Sequence, residues 1–391
     1  MTDALITELA QVQGLKVISP TSVMHYKGAR KRLPEIAREL GVDAVVEGTV
    51  KRSGDEVKVT AQLIRASTDT HLWAASYVRA RQDVLRLQAE IAQGLTHQIN
   101  DQLVPVKDKA ESKPTVNPEA YDAYLKGVYF QNKESPDGAR TAIRYFQAAI
   151  EKDRNFAAAY SRLAASYASL CSMSEMSPRE AHAAEKEAAQ KAVRLDDNLD
   201  RGHAALAWVA VSDWDWTRAE AEYKRAIQLN PNSTNAHIGY SHLLMILGRS
   251  EESAREERAA NVLDPFSLDT LIVSITNYYH RRQYEEGLSN ARTAIEFYPR
   301  VFMFHVLLSN FYAAQGNDEL SAKEILLAEE SGGASPERLA ALRAALESAG
   351  PMGLRRKRIE LNKKLAGPQP INAYDIAIDC AVVRDNDQAL V

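Results

Sequence analysis

Two periodicities divide this chain. Up to about residue 103, short runs in which apolar and polar positions alternate are interleaved with segments of helical spacing; from residue 117 onward nearly every apolar position recurs at three or four residues. In the first part Leu5, Ile6, Leu9 and Val12 share one helical face over 2–12, and Gly14 follows as a stop. Residues 15–19 read as a strand. A second helix is expected over 33–40, where Ile36, Ala37 and Leu40 share a face and Gly41 ends it. Three extended runs follow at 44–52, 56–66 and 71–79, separated by Ser53-Gly54-Asp55 and Ser67-Thr68-Asp69, residue types that make tight turns. In the middle run Val57, Val59, Ala61 and Leu63 fall on one face, which is therefore buried. A closing helix over 83–103 carries Val84, Leu87, Ile91, Leu95 and Ile99. Together these elements predict a small α/β sandwich, helices covering one side of a mostly antiparallel sheet.

Residues 104–116 hold two prolines and scattered charge without any period, which marks a linker between one domain at 1–103 and another at 117–391. Beyond it Pro231, Pro265 and Pro299 stand 34 residues apart, and Ala226, Ala260 and Ala294 each lie five residues before one of them. Ala328 continues the alanine series. A unit of two antiparallel helices explains the spacing: small residues are needed where the second helix crosses close to its neighbour, and a proline stops that helix before the turn. Phe146 and Tyr223 supply the bulky residue of the second helix, while Ala189, Glu257 and Ala291 depart from it. His203, His237, Leu271 and His305 mark a bulky first-helix position, and Tyr278 and Tyr312 a later aromatic one. Asn117-Pro118-Glu119 and Ser335-Pro336-Glu337 each give a cap, a first-turn proline and an acid matched to the helix dipole.

By this ruler the repeats run over about 118–154, 155–199, 200–233, 234–267, 268–301 and 302–334, with a divergent seventh over 335–367 and the first helix of an eighth over 371–383. Extra residues at Ser135-Pro136 and 171–177 belong in turns. Because the sequence stops before a polar capping helix, the expectation is a truncated chain or an end covered by another molecule, self-association included.

The 34-residue ruler is that of the tetratricopeptide repeat, a family that about two thirds of the chain resembles. The first hundred residues resemble the TolB amino-terminal-like (FlgO-like) domain of bacterial signalling proteins, through Leu15-Lys-Val-Ile-Ser-Pro-Thr-Ser, Ile36-Ala-Arg-Glu-Leu-Gly-Val-Asp-Ala-Val-Val-Glu-Gly-Thr-Val, Ala61-Gln-Leu-Ile and His71-Leu-Trp-Ala. The resemblance implies a winged-helix, protein kinase or adenylate cyclase domain as an amino-terminal neighbour, absent from this chain, so that Met1 would be internal to a longer reading frame. Asp213-Trp214-Asp215-Trp216 is similar to a loop of such proteins, where the tryptophans are structural. The fold class expected is α+β, the α/β sandwich followed by an all-α tetratricopeptide superhelix, an α-solenoid.

Composition narrows the chemistry. The 391 residues are 45% apolar and 26% charged with a net charge of −4, so no global basic field attracts nucleic acid. Two cysteines, Cys171 and Cys380, give no disulfide framework and no paired metal motif. No segment reaches the length of an apolar span, so the chain is expected to be soluble, cytoplasmic or periplasmic. Phosphate-cradling glycine loops, HExxH and GxSxG are missing, and neither enzymatic activity nor a cofactor is expected. Asp196, Asn198 and Asp200 alternate as in a calcium loop, but Gly202 comes one place late and Ala207 replaces the bidentate acid, so an inter-repeat turn is expected. His203, His237 and His305, at equivalent positions, are expected to pack rather than bind metal; His25, His71, His97 and His182 lack ligand spacing. The basic runs 27–32 and 355–358 lack interleaved aromatics and read as solvated faces.

In repeats of this type the first helices line a concave groove. Its lining is expected to comprise Trp208, Val211, Ser212, Asn235, Ile238, His242, Met245, Ile272, Thr276, Tyr279, Met303, Val306 and Asn310, a mixed surface of little charge suited to a peptide or partner helix. Arg201 is its only basic neighbour, so the two-lysine-plus-asparagine arrangement of chaperone-tail binders is not expected.

Overall fold

The computed structural model describes residues 5, 6, 9, 15–19, 22, 23, 26, 31–80, 87, 90, 91, 94, 95, 97–99, 117–133, 135–173, 176–299, 301–365 and 373–383. The expected linker at 104–116 lies outside them, as does most of the basic run 27–32. The fold is α+β, a small antiparallel sheet followed by helical hairpins. By internal packing the chain divides into two units, Met1–Ser267 and Leu268–Val391.

In the first unit, α1 (Leu33–Leu40) starts with Pro34 in its first turn and ends at Gly41, whose φ of 62° favours a residue without a Cβ. Three strands follow, β1 (Ala44–Ser53), β2 (Glu56–Arg65) and β3 (Thr70–Ala80), antiparallel in the order β1-β2-β3. Val57, Val59, Ala61 and Leu63 of β2 are buried against Leu87, Ile91, Leu95 and Ile99, the helical residues that pack on the sheet. Each of the valine, leucine and isoleucine side chains taken fully from water contributes roughly 1.5–3 kcal/mol.

Residues 15–19 are not a strand. Leu15 and Val17 do pack on the sheet-side core, so their alternation reflects real burial. The partners of Leu15 and Ser19, however, come from the helical repeats: the Asn232 side-chain amide donates to the Leu15 carbonyl at 2.8 Å, and the Ser19 amide to the Leu263 carbonyl at 3.0 Å. Nearby, the buried Ser22 hydroxyl donates to Asp264 at 2.6 Å and accepts from the Phe266 amide at 3.2 Å. An alternating pattern specifies a buried face, not the source of the hydrogen bonds.

Four helical hairpins complete this unit: α2 (Pro118–Gln131) with α3 (Pro136–Lys152), α4 (Ala157–Ser172) with α5 (Pro178–Leu195), α6 (Asp200–Ser212) with α7 (Trp216–Leu229), and α8 (Thr234–Ile246) with α9 (Ser250–Leu263). The side chains of Asn117, Ser135, Ser177 and Asp215 accept first-turn amides and so cap α2, α3, α5 and α7. The second unit holds α10 (Leu268–His280) with α11 (Tyr284–Phe297), α12 (Phe302–Ala314) with α13 (Asp318–Ser331), then α14 (Pro336–Leu365) and α15 (Ala373–Val382). Gly350, at φ 64° ahead of Pro351, breaks α14 into the two helices of the seventh repeat.

The 34-residue ruler is visible in the element boundaries themselves. First helices begin at Asp200, Thr234, Leu268, Phe302 and Pro336, and second helices at Trp216, Ser250, Tyr284 and Asp318. The alanine series is buried, and the bulky partners it admits meet glycine or a small residue opposite: a Cβ on Gly239 would stand 2.5 Å from the Tyr223 hydroxyl, and one on Gly127 2.5 Å from the Phe146 ring. Pro231, Pro265 and Pro299 each follow the last residue of a second helix by two.

Candidate functional site

The expected lining falls into columns of repeat-equivalent positions, of which Trp208, His242, Thr276 and Asn310 form one. Within the first unit the structure brings two of them together: the Trp208 ring of α6 lies edge-on to the His242 ring of α8, centroids 6.1 Å apart. Trp208 keeps 38% of its surface exposed, Asn235 is exposed, and Val211, His242 and Met245 are half-buried. Ile238 differs; at 6% exposure it belongs to the wall and presents little to a ligand.

In the second unit Ile272, Tyr279 and Met303 pack against the core centred on Phe304 and Phe311. Tyr279 meets Phe311 edge-on at 5.6 Å, so this ring has a structural role as well as an exposed edge. The Thr276 hydroxyl donates to the Ile272 carbonyl of its own helix at 2.8 Å. Val306 and Asn310 line a small cleft together with Arg355, Arg358, Ile378 and Asp379.

That cleft overturns the expectation for the basic run 355–358. Arg356 is solvated, but Arg355 and Arg358 are buried at 3% and 7% exposure. Arg355 donates to Asp379 at 2.7 Å and to the Ser321 hydroxyl at 2.7 Å; Arg358 Nε stands 3.0 Å from the other Asp379 oxygen. Close by, Arg338 donates twice to Glu329, at 2.6 and 2.7 Å. Buried charges are costly unless paired, and here Arg355, Arg358 and Arg338 each stand against a carboxylate. Sequence could have hinted at it: Arg355 stands in a column that also holds Ala219, Ser253, Gly287 and Ser321, all small.

Glu185 is the second charged member of that column, and reading from the sequence missed it too. Its carboxyl is 5% exposed in α5, and desolvation pushes its pKa from 4.5 up to about 8. The negative form would sit near Tyr223 and the Cys171 thiol, whose own pKa values are raised first by burial and then by that charge.

The repeated histidines bridge the two helices of a hairpin. His203, His237 and His305 pair through Nδ1 with Glu222, Glu256 and Glu324, in each case 19 residues on, at 2.7, 2.6 and 2.7 Å. The second ring nitrogens of His203 and His237 also engage the carbonyls of Asp197 and Pro231. Among the described residues no cluster of His, Cys, Asp and Glu has the arrangement of a metal site. Asp196 accepts the Asn198 amide at 3.0 Å, an Asx turn of the kind expected between repeats.

The loop after α6 departs from its expected structural role in one residue. Trp216 is half-buried against the Tyr223 cluster, whereas Trp214 is 76% exposed. Trp214, Gly248, Arg282 and Gly316 form another 34-residue column, all left-handed, with φ of 61°, 75°, 59° and 74°. The turn between paired helices demands that conformation, and repeats three and five meet it without glycine.

No family model matches the chain. The chain is similar to "Putative adenylate cyclase 3" of Rhizobium meliloti (strain 1021), 32% identical over 164 residues, which is 42% of this chain and 28% of that relative. The chain thus spans under a third of that curated relative. Among solved structures it is similar to Cut9 with Hcn1 of the APC/C, at 14% identity, TM-score 0.44, 64% of this chain and 43% of that one. It is also similar to Pseudomonas aeruginosa pilF, at 16% identity, TM-score 0.41, 53% of this chain and 90% of that one. The helical part is a series of two-helix hairpins, repeating every 34 residues from Asp200 onward, and among the described residues no helix is long and apolar enough to cross a membrane.

Proposed function

We infer that the chain is a non-enzymatic protein- or peptide-binding module, the regulatory or sensory part of a bacterial signalling protein. Residues 1–103 form a TolB-like domain and 117–391 the repeat array whose first-helix faces hold the partner. The observation that carries this reading is the half-exposed Trp208–His242 pair on adjacent first helices, flanked by Asn235 and Met245. Aromatic and Met side chains give apolar anchorage at low entropic cost, and an amide beside them can hydrogen bond a peptide backbone. The partner is a protein segment, with no nucleic acid recognised by this chain.

The test follows from which side chains the core can spare. Trp208→Ala with His242→Ala should leave the far-ultraviolet circular dichroism and melting temperature near those of wild type and abolish capture of the partner. Undiminished capture refutes the groove. Tyr279→Ala is a poorer probe because that ring also packs on Phe311.

A second reading is favoured by the adenylate cyclase relative, of which this chain matches 28%. In it the chain is the non-catalytic segment of a larger cyclase, kinase or transcription regulator whose chemistry lies upstream of Met1. An in-frame stop codon immediately before Met1 would exclude it; an open frame encoding a catalytic or winged-helix domain is the expected result.

A further inference from the structure

We propose that β1 is a self-pairing edge: a second copy of this chain lays its own β1 antiparallel against it, about a two-fold axis through Thr49, and joins the two three-stranded sheets into one. The inference goes beyond the binding-module reading, since it concerns the sheet and not the first-helix groove.

The exposure of β1 carries the proposal. Val46 stands opposite Leu63 and Val50 opposite Val59, so both valines share the face on which these β2 residues are buried. Yet Val46 and Val50 are 38% and 49% exposed, and residues 46–51 are exposed without a break, on both faces of the strand. The two-residue turn Gly54-Asp55 makes Ser53 and Glu56 a hydrogen-bonded pair; alternation then directs Glu47, Thr49 and Lys51 to β2, and the amides and carbonyls of Val46, Gly48 and Val50 away from it. Among the described residues β1 is an outer strand of the sheet. The opposite margin is guarded: the β2–β3 register shifts at Leu63/Ile64, and Arg79 is tied to Glu90 at 2.8 Å. β1 has no such irregularity and pairs with β2 in unbroken register over 10 residues.

Charge selects the occupant. Edge charges ordinarily repel a neighbouring strand, but Glu47 and Lys51 lie symmetrically about Thr49, so antiparallel self-pairing centred there sets each Glu47 opposite Lys51 of the second copy. A register centred on Glu47 or on Lys51 would instead oppose like charges. Within the chain Lys51 faces Lys58 across the ladder, a like-charge pair that an opposing carboxylate relieves. The same register puts Val50 opposite Gly48, which leaves it room, and brings their outward amides and carbonyls into a bonding pair.

Sedimentation velocity of the full chain from about 1 to 100 μM should show a concentration-dependent dimer. Lys51→Glu or Glu47→Lys alone should raise the dimer dissociation constant at least roughly tenfold, whereas the two together should restore it, because each charge again meets its opposite. These side chains are exposed, so the variants should keep the wild-type circular dichroism. Thr49→Cys in a Cys171→Ser background should give a disulfide-linked dimer with copper–phenanthroline as oxidant. Residues on the axis form a non-hydrogen-bonded pair with Cα atoms about 4.5 Å apart, within the span of a disulfide. Gln62→Cys, on the same face but one strand further in, should run as a monomer on a non-reducing denaturing gel. The proposal is overturned by a chain still monomeric at about 100 μM, by a dimer indifferent to both single reversals or not restored by the double one, or by absence of the Thr49→Cys cross-link. Trp208→Ala with His242→Ala should leave the dimer intact, so that failure of the groove and failure of this edge are read separately.

Discussion

Replacing Glu185 by glutamine should flatten the loss of stability that the folded chain suffers as pH rises through neutrality. The carboxyl is desolvated in α5 with its pKa raised from 4.5 to about 8, so between those values the folded state retains a proton that the unfolded state has released. Stability then falls as pH rises, by at most about 1.4 kcal/mol per unit, and levels off above the folded value. From pH 5.5 to 7.5 this amounts to about 2.5 kcal/mol, a large share of a domain's typical stability of about 5–15 kcal/mol. The nearby Tyr223 and Cys171 have raised pKa values and stay neutral across this window, so they add no titration of their own. Glutamine has the shape of the protonated acid but no proton to lose. Urea denaturation of both chains at pH 5.5, 6.5 and 7.5, followed by circular dichroism, should show similar midpoints at the lowest pH and a wild-type midpoint falling behind the variant above it. Other titrating groups are common to both chains and cancel in the difference. Parallel curves across the three pH values would refute the desolvation argument.

Arg282→Gly should stabilise the second unit by about 0.5–1 kcal/mol in thermal melts, because φ is 59° at this turn and the same column uses Gly248 and Gly316. A lower melting temperature would count against backbone strain there. Gly287→Ala should destabilise by about 1–3 kcal/mol despite the better helix propensity of alanine, since a Cβ would collide with the Phe311 ring; denaturant midpoints decide. Glu220 accepts from Lys224, Arg249 and Tyr240, and those bonds, Lys224 first, hold its pKa down to about 2. Its contribution is therefore present above about pH 4.5 and is lost as pH falls toward 2; once solvent screening is allowed for, Glu220→Gln should cost about 1 kcal/mol at pH 7 and little in acid.

The repeat was legible because its cause is local and recurs. Each hairpin requires a small residue at its crossing and a stop at its end, so Ala226, Ala260, Ala294 and the three prolines imprint a period that the helix starts reproduce. The meander was legible for a similar reason: turns at Gly54 and around Asp69 fix the register of β1, β2 and β3. Charged residues in small-residue columns were also visible as anomalies, but sequence supplies no partner. Asp379 is 24 residues beyond Arg355, and Ser22 is 242 residues from Asp264; only folding brings such groups within hydrogen-bond reach. Whether Arg355 is solvated or buried, and whether residues 15–19 bond a strand or a repeat turn, depends on what another part of the chain places beside them. A side chain's own identity sets which faces it can join, while its dielectric surroundings and its partners are properties of the assembled tertiary structure.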